Sequence, residues 1–282
     1  MIGKSTGKRN LSLPTSNQVT CENCGLVYEG AHVCPPKILF GILSTYERQG
    51  WIHPSILQFF ADLPFTQGNA YRVVPVHNFM PAASGRNVFC KQVKDTDCDW
   101  VCMIDNDMSM PKNLIDTLKD APADASIVVP AFYAWAQSEL KLTLCWGMDN
   151  VPDSNPTAKL ASGFHELTKA GTGVIFIRPE VFRKLAYPYF TYLYNEDQGM
   201  CGTEDIQFCL RAREAGFKIY GNADVIVGHY HNVDLSTLWK WYEKSNGKVV
   251  DTKPDTAAES GPKDAPCPDA PLATNASPAI AA

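Results

Sequence analysis

The chain has 282 residues, 45% hydrophobic and 20% charged, which is enough sequence for one sizeable core and a small appendage. Its formal net charge of −5 argues against stable nucleic-acid binding, because generic nucleic-acid binders carry a basic surplus. It has no apolar run near the roughly 20 residues of a membrane helix and no secretory-signal core at its N-terminus, so we expect a cytoplasmic protein without a transmembrane segment.

The two ends of the chain have compositions typical of disordered segments. Residues 1–19 are polar, and residues 248–282 are dominated by Ala, Pro, Asp and Ser. Segments with so few large apolar side chains cannot bury enough surface to offset the entropy lost on ordering. We therefore expect order only in between, as a short cysteine-rich segment (20–36) and a main domain (37–247).

The cysteine-rich segment contains four potential metal ligands, Cys21, Cys24, His32 and Cys34. Three thiols and one imidazole match a tetrahedral Zn²⁺ site, and the C-x2-C spacing is typical of half of such a site. The close pair His32-x-Cys34 is less common. Free thiols on a loop and a redox C-x-x-C pair are the alternatives, and the redox pair is disfavoured because no βαβ pattern precedes it. We predict a structural, zinc-knuckle-like site, because the four ligands leave no position open for chemistry.

From residue 37 onward, short β-rich runs alternate with helical patterns. Strands that alternate with helices favour an α/β domain with a mostly parallel sheet flanked by helices. Ligands of such sheets bind beyond the C-terminal ends of the strands. Strands are predicted at 37–45, 71–76, 100–105 and 126–134, and helices at 54–63, 84–95 and 111–120, the last with proline at its first position.

The predicted strand WVCMID runs into two acids, Asp105 and Asp107, with Asn106 between them. In an extended chain alternate side chains share one face, roughly 6–7 Å apart. Two carboxylates so placed suit a shared Mg²⁺ or Mn²⁺ ion, since these ions prefer oxygen ligands. The alternative is a simple turn, because Asp-Asn-Asp is good turn chemistry.

Two later segments carry further candidates. In CGTEDIQF, Thr203 is a good N-cap, so Glu204 and Asp205 fall in the first turn of a predicted helix. Acids there either favour the helix dipole or supply a general base at the mouth of a cleft. In ADVIVGHYHN, a β-branched strand leads into His229 and His231, which are either metal ligands or ordinary surface or core residues.

Taken in this order, these segments resemble the GT-A fold glycosyltransferases, most closely the glycosyltransferase family 2 type. The likeness covers roughly residues 37–235 and is carried by ILFGILST, MIDNDMSMP, AGTGVIFIRPEVFRKL, GTEDIQFCLRAREAGFKIY and VIVGHYH. It implies a Rossmann-like, nucleotide-diphospho-sugar transferase fold. It also implies a metal-dependent enzyme that moves a sugar from a UDP- or GDP-sugar to a hydroxyl of a glycan, lipid or protein acceptor. Inversion of configuration is expected, with retention left open.

The resemblance also implies a metal site. Asp105 and Asp107 would hold Mn²⁺ or Mg²⁺ against the donor diphosphate, with Asp107 as the direct ligand and Asp105 also near the ribose. His229, or as second choice His231, would complete the metal shell.

The same resemblance implies catalytic and donor-binding residues. Asp205 would be the base, and Glu204 would hold the acceptor or Asp205 itself. Arg86 equally fits a surface salt bridge, and the AGTGV loop around Gly173 equally fits a turn. The residues expected to contact the donor are Ser44, Thr45, Asn78, Arg86, Asp105 and Gly173.

Two rival functions remain open. The first is a catalytically silent GT-A-like module that docks partners through its zinc segment, which the intact acid and histidine motifs disfavour. The second is a nucleotidyltransferase, which usually carries a glycine- and basic-rich loop after its first strand. The segment STYERQGW contains one arginine and one glycine and is a poor match for such a loop.

Overall fold

The computed structural model describes residues 19–22, 27–29, 34–44, 51–63, 71–77, 82–136, 139–144, 161–197, 199–230 and 235–245. The predicted disordered ends therefore lie outside the described residues, except for Val19.

The described residues form thirteen strands and five α-helices. The strands are β1 (Val19–Thr20), β2 (Val27–Tyr28), β3 (Ile38–Ser44), β4 (Tyr71–His77), β5 (Trp100–Asp105), β6 (Met108–Ser109), β7 (Ala125–Ala136), β8 (Glu139–Thr143), β9 (Phe164–Leu167), β10 (Val174–Ile177), β11 (Leu193–Asn195), β12 (Gly199–Gly202) and β13 (Lys218–His229). The helices are α1 (Pro54–Asp62), α2 (Ala82–Val93), α3 (Pro179–Lys184), α4 (Glu204–Glu214) and α5 (Leu235–Ser245). The four predicted strands and the first two predicted helices are confirmed as β3, β4, β5, β7, α1 and α2, with bounds shifted by a few residues.

Nine strands form one central sheet in the order β4-β3-β5-β10-β7-β13-β6, with β8 paired to β7 and β9 paired to β13. β3 is parallel to β4 and β5, and β13 is parallel to β7. β10 lies between β5 and β7 and is antiparallel to both. The pairs β13–β6, β13–β9 and β7–β8 are also antiparallel.

The α/β class is therefore confirmed, but the prediction of a mostly parallel sheet is wrong, because the sheet is mixed. Parallel neighbours need a crossover connection, which α1 and α2 supply between β3, β4 and β5. The short link between β7 and β8 can join only antiparallel strands. The sequence pattern detected the helical crossovers in the first half and missed the direct connections in the second.

The helix predicted over 111–120 is also wrong in type, because Leu114–Leu118 form a 3₁₀ helix. Asn222 on β13 donates from Nδ2 to the carbonyl oxygens of Asp116 and Thr117, at 3.4 and 3.3 Å. These carbonyls thus have a partner outside the helix. The segment is also rich in Asn, Asp and Thr, which have low helix propensity.

The core lies on both faces of the central sheet. Alternate residues of β3 point to opposite sides, so Phe40 packs with α1 in one apolar cluster and Leu39 packs with α2 in the other. α3 and α4 join the cluster of α2, for example through Phe182 and Phe208. Burial on both faces explains the continuous apolar runs of β3 and β5, and the apolar run of β5 gives way to Asp105 and Asp107 at its end.

The chain divides into two compact units. One contains the described residues up to Leu193 together with Gly202–Tyr230, and the other contains Tyr194–Cys201 and α5. Outside the central sheet, β1 pairs with β2 and β11 with β12. Within the described ranges, no helix has the length and apolar character needed to cross a membrane.

Candidate functional site

The turn after β5 is fixed by the residue between its two acids. The backbone N–H of Asn106 donates to the carbonyl of Leu43 at 2.9 Å, and its own carbonyl accepts from the N–H of His53 at 2.8 Å. Its side-chain Nδ2 donates to Ser44 Oγ at 3.3 Å and to the carbonyl of Trp51. Asn106 is buried and anchors the turn to the end of β3 and to the chain before α1. The sequence pattern identifies Asn106 only as the residue between the two acids.

The end of β13 lies against this turn. β13 pairs with β6 so that His229 faces Met108, and the N–H of Tyr230 donates to the carbonyl of Asp107 at 2.8 Å. This register brings His229 Nε2 to 3.4 Å from Asp107 Oδ2. The structure thus brings together an acid and a histidine that are far apart in the chain.

Arg86, on α2, joins two of the candidate acids. Its Nη2 donates to both carboxylate oxygens of Asp105, at 2.8 and 2.9 Å, and its Nη1 donates to Glu204 Oε1 at 2.8 Å. The Arg86 side chain is buried, and Glu204 is mostly buried. The alternative of a surface salt bridge is therefore wrong, because this is an interior guanidinium shared by two carboxylates.

The charge of Arg86 is stabilised by this arrangement. Burial by itself lowers the pKa of the guanidinium, but the charges of Asp105, Glu204 and Asp205 outweigh burial and raise the pKa above its usual value. Arg86 Nε is buried without a hydrogen-bond partner. Removing the guanidinium would leave two adjacent carboxylates without their counter-charge.

Asp105 sits where several charges act on one carboxyl. Burial raises its pKa to about 6, Asp107 and Glu204 act in the same direction, and Arg86 and His229 oppose them. Its side chain is still 30% exposed, so one side of the carboxyl faces solvent. The charges acting on Asp105 thus link the end of β5, the start of α4 and the end of β13 in one cluster.

The two acids at the start of α4 have different surroundings. Asp205 Oδ1 accepts from the hydroxyl of Thr203 and from the N–H of Ile206 at 2.8 Å. Thr203 occupies the predicted N-cap position but makes no side-chain cap hydrogen bond. Glu204 is held by Arg86, and burial together with Glu204 raises the pKa of Tyr192. Glu204 is thus engaged in a network, whereas Asp205 uses only Oδ1 in the hydrogen bonds described.

Asn87 of α2, which the sequence analysis does not single out, holds the chain before β11. Asn87 Oδ1 accepts from the N–H groups of Tyr189 and Phe190 at 2.7 and 3.0 Å, and its Nδ2 donates to the carbonyl of Phe190 at 2.7 Å. Arg211 of α4 donates to the carbonyl of Tyr189 at 3.1 Å. These bonds fix the segment that leads to Tyr192 and hence to Glu204.

Gly173 lies directly beneath the acid turn. Its carbonyl accepts from the N–H of Asp105 at 2.8 Å, and a Cβ built on it would lie 2.9 Å from Met108 Sδ. The absence of a side chain at this position is therefore explained by packing against β6. Its predicted contact with a donor sugar stays a prediction.

An aromatic group beside the turn was missed by sequence reasoning. The rings of Trp51 and Tyr230 lie 5.2 Å apart, and the ring of His53 lies 5.8 Å from Trp51. Trp51 and Tyr230 are both exposed. For Tyr230 the sequence offers one signal, since it directly follows His229. For Trp51 it offers none, because this residue reaches the site through the contact between its carbonyl and Asn106.

The structure describes only some of the remaining predicted site residues. Ser44 is buried and bonded to Asn106. Among the described residues, no group of three or more His, Cys, Asp or Glu side chains is arranged to hold a metal ion. Thr45, Asn78, His231, Cys24 and His32 lie outside the described residues.

Half of the predicted zinc ligand set is described. Cys21 Sγ and Cys34 Sγ lie 3.2 Å apart. This separation is well beyond the roughly 2.05 Å of a disulfide bond. The structural zinc stays a prediction.

No protein-family model and no curated protein sequence matches the chain. Among solved structures, A197 from STIV is 16% identical with a TM-score of 0.47, over 70% of this chain and 86% of that chain. GalNAc-T7 with UDP, GalNAc and Mn²⁺ is 12% identical with a TM-score of 0.41, over 77% of this chain and 48% of that chain. Both scores lie below 0.5, so neither likeness decides the fold family or the function of this chain.

Proposed function

We propose that the chain is a glycosyltransferase that moves a sugar from a nucleoside-diphosphate sugar to an acceptor hydroxyl with the help of Mn²⁺ or Mg²⁺. The observation that carries the proposal is the meeting of three distant segments. His229 lies 3.4 Å from Asp107, and Arg86 bonds both Asp105 and Glu204. The charge of Asp205 also acts on Arg86, so the candidate metal ligands at the ends of β5 and β13 and the candidate base belong to one cluster of charges.

The residue types at the turn fit a hard divalent cation. Mg²⁺ typically takes one or two carboxylates from the protein, and waters and substrate phosphates complete its shell. Asp107 and His229 Nε2 would be the protein ligands, with Asp105 as a further ligand through its exposed side. When bound, the ion would neutralise the negative charge that develops on the departing diphosphate.

Asp205 is the better candidate for the base. The Thr203 hydroxyl and the Ile206 N–H both bind Oδ1 and so orient the carboxylate. Oδ2 would then accept the proton of the acceptor hydroxyl as that oxygen attacks the anomeric carbon. A positioned base contributes about 10²–10⁴-fold to the rate. Glu204, already bonded to Arg86, would hold the geometry rather than take the proton.

The donor side would use the exposed aromatic group. Trp51 and Tyr230 offer flat apolar faces beside the acid turn, and such faces stack on planar or sugar rings. Arg86 would act through Asp105, since its Nη atoms are already bonded to Asp105 and Glu204.

A thermal-shift screen of UDP- and GDP-sugars, with and without Mn²⁺, tests this proposal. Because a ligand that binds the native state raises the melting temperature, one donor should raise it only when Mn²⁺ is present. Asp107→Asn should abolish the metal-dependent shift, whereas the control Asp124→Asn, which alters an acid outside the cluster, should retain it. A chain for which no donor produces a metal-dependent shift would contradict the proposal.

The rival hypothesis of a catalytically silent module predicts the same binding but no turnover. Release of nucleoside diphosphate, measured with the donor identified by the screen, separates the two. Binding without turnover for every acceptor class tested (glycan, lipid and protein) would favour the silent module.

A further inference from the structure

Helix α5 (Leu235–Ser245) has an exposed apolar stripe. The exposed fractions are 78% for Leu235, 44% for Leu238, 59% for Trp239 and 52% for Tyr242. Their spacing of three, four and seven residues from Leu235 places them on one face of the helix. Such a stripe is normally buried against a core.

Apart from Trp241, the remaining residues of the helix are polar. Lys240 is exposed and, five residues after Leu235, lies away from the stripe. With two lysines and one glutamate, the helix carries a net charge of +1. The chain as a whole is acidic, so this short basic and aromatic helix differs from the average of the protein.

A second copy of the chain is a poor occupant for this stripe. A helix of 11 residues is about 16 Å long, at about 1.5 Å per residue. A stripe of that length offers far less than the roughly 800 Å² per partner that a stable dimer buries.

The chain's own C-terminal segment is a poor occupant as well. Residues 246–282 contain no aromatic residue, one leucine and one isoleucine. They lack the large apolar side chains that would cover rings such as Trp239 and Tyr242, which lie 5.5 Å apart.

We propose that α5 binds the surface of a phospholipid bilayer that contains anionic lipid. The helix lies in the plane of the interface, with Leu235, Leu238 and Trp239 inserted at the boundary between headgroups and acyl chains. Tryptophan and tyrosine are the residues preferred at that depth, and the lysines favour a negatively charged leaflet. The proposal does not depend on the proposed sugar transfer.

Co-sedimentation of the full chain with vesicles tests the inference. The vesicles are phosphatidylcholine with about a third phosphatidylglycerol. The wild-type chain should pellet with them. The double substitution Leu238→Ser/Trp239→Ser should lower the bound fraction about tenfold, because it removes two inserted apolar side chains. The matched control Lys240→Arg keeps the charge on the polar face and should bind as wild type does.

A variant that gains binding distinguishes a change in membrane affinity from misfolding of the chain. Leu235→Trp, at the most exposed position of the stripe, should raise the bound fraction about threefold, since tryptophan prefers the interface. The inference is overturned if the wild-type chain stays in the supernatant or if the double variant pellets equally well. It is also overturned if sedimentation velocity without vesicles shows a dimer that the double variant loses, which would identify a second copy as the occupant.

Discussion

Arg86 of α2 and Glu204 of α4 are joined by an ion pair of 2.8 Å, although 118 residues separate them in the chain. Because the same guanidinium binds Asp105, this pair connects the turn after β5 to the start of α4. The candidate metal side and the candidate base side of the site are therefore held in register by one buried side chain.

Loss of this connection should be costly. Arg86→Gln leaves two mostly buried carboxylates without a counter-charge, so we expect the free energy of unfolding to fall by about 3–5 kcal/mol in urea titrations. Arg86→Lys should recover only part of the loss, because one ammonium cannot reproduce the forked contacts. The control Arg183→Gln, at an exposed position, should cost less than about 1 kcal/mol. Equal effects of the two glutamine variants would contradict the assignment.

Substitutions of the two acids of α4 should have different effects on the kinetics. Asp205→Asn should lower kcat by about 10²–10⁴-fold with little change in KM, because it removes the base but keeps the shape. Glu204→Gln keeps a hydrogen-bond acceptor for Arg86 and should retain more activity than Asp205→Asn. Steady-state assays with the donor found by thermal shift would check this. A reversed order would assign the base to Glu204.

Asn87 should matter for stability rather than for chemistry. Asn87→Ala removes three buried hydrogen bonds and leaves backbone groups of Tyr189 and Phe190 unsatisfied, so we expect a loss of about 2–4 kcal/mol. Asn113→Ala is the matched control, because Asn113 is exposed and makes no side-chain cap hydrogen bond. Chemical denaturation of both variants gives the comparison, and equal stabilities would disprove the role of Asn87.

The aromatic group should act on donor binding. Trp51→Ala should raise KM for the donor by about tenfold with a smaller change in kcat, since stacking is worth about 1–3 kcal/mol per ring. Trp51→Phe should retain most of the affinity. The hydrogen bond from Asn106 goes to the carbonyl of Trp51, so neither substitution removes it. An unchanged KM in Trp51→Ala would place the donor elsewhere.

The predicted zinc site can be tested by thiol alkylation. If zinc is bound, Cys21 and Cys34 should resist iodoacetamide until a chelator is added, because a coordinated thiolate is unavailable. Cys209 is the internal control, since burial raises its pKa to about 12 and it should stay unmodified in the folded chain either way. Mass spectrometry of the peptides gives the readout. Modification of Cys21 that is independent of the chelator, with no zinc found by elemental analysis, would remove the prediction.

The strands and crossover helices of the first half were predictable because their patterns are local. β3 and β5 are apolar on both faces, and the acids at the end of β5 mark the edge of the sheet where the candidate site lies. The antiparallel insertion of β10 between β5 and β7 was not predictable, since a short apolar run does not encode the direction of its neighbours. Likewise, the 3₁₀ helix Leu114–Leu118 has carbonyl groups bonded by Asn222, a partner more than a hundred residues away that the local pattern does not encode.

The parts of the candidate site whose residue types by themselves indicate metal binding were predictable from the sequence. Asp107 and His229 were chosen as carboxylate and imidazole, and the structure brings them within 3.4 Å. The supporting residues were not predictable in the same way. Asn106 and Asn87 act through backbone groups of distant segments, and these partners become visible only after the chain has folded.

The anchoring of Asn106 joins the backbone of Trp51 to the turn that carries Asp105 and Asp107. The side chain of Asn106 donates to the carbonyl of Trp51, and its backbone, bonded to Leu43 and His53, carries the two flanking acids. A ligand that shifted the backbone at Trp51 would therefore also disturb the turn that carries the acids. The backbone position of Trp51 and the geometry of the acid turn are in this way joined through one side chain, and a replacement at position 106 would break that connection.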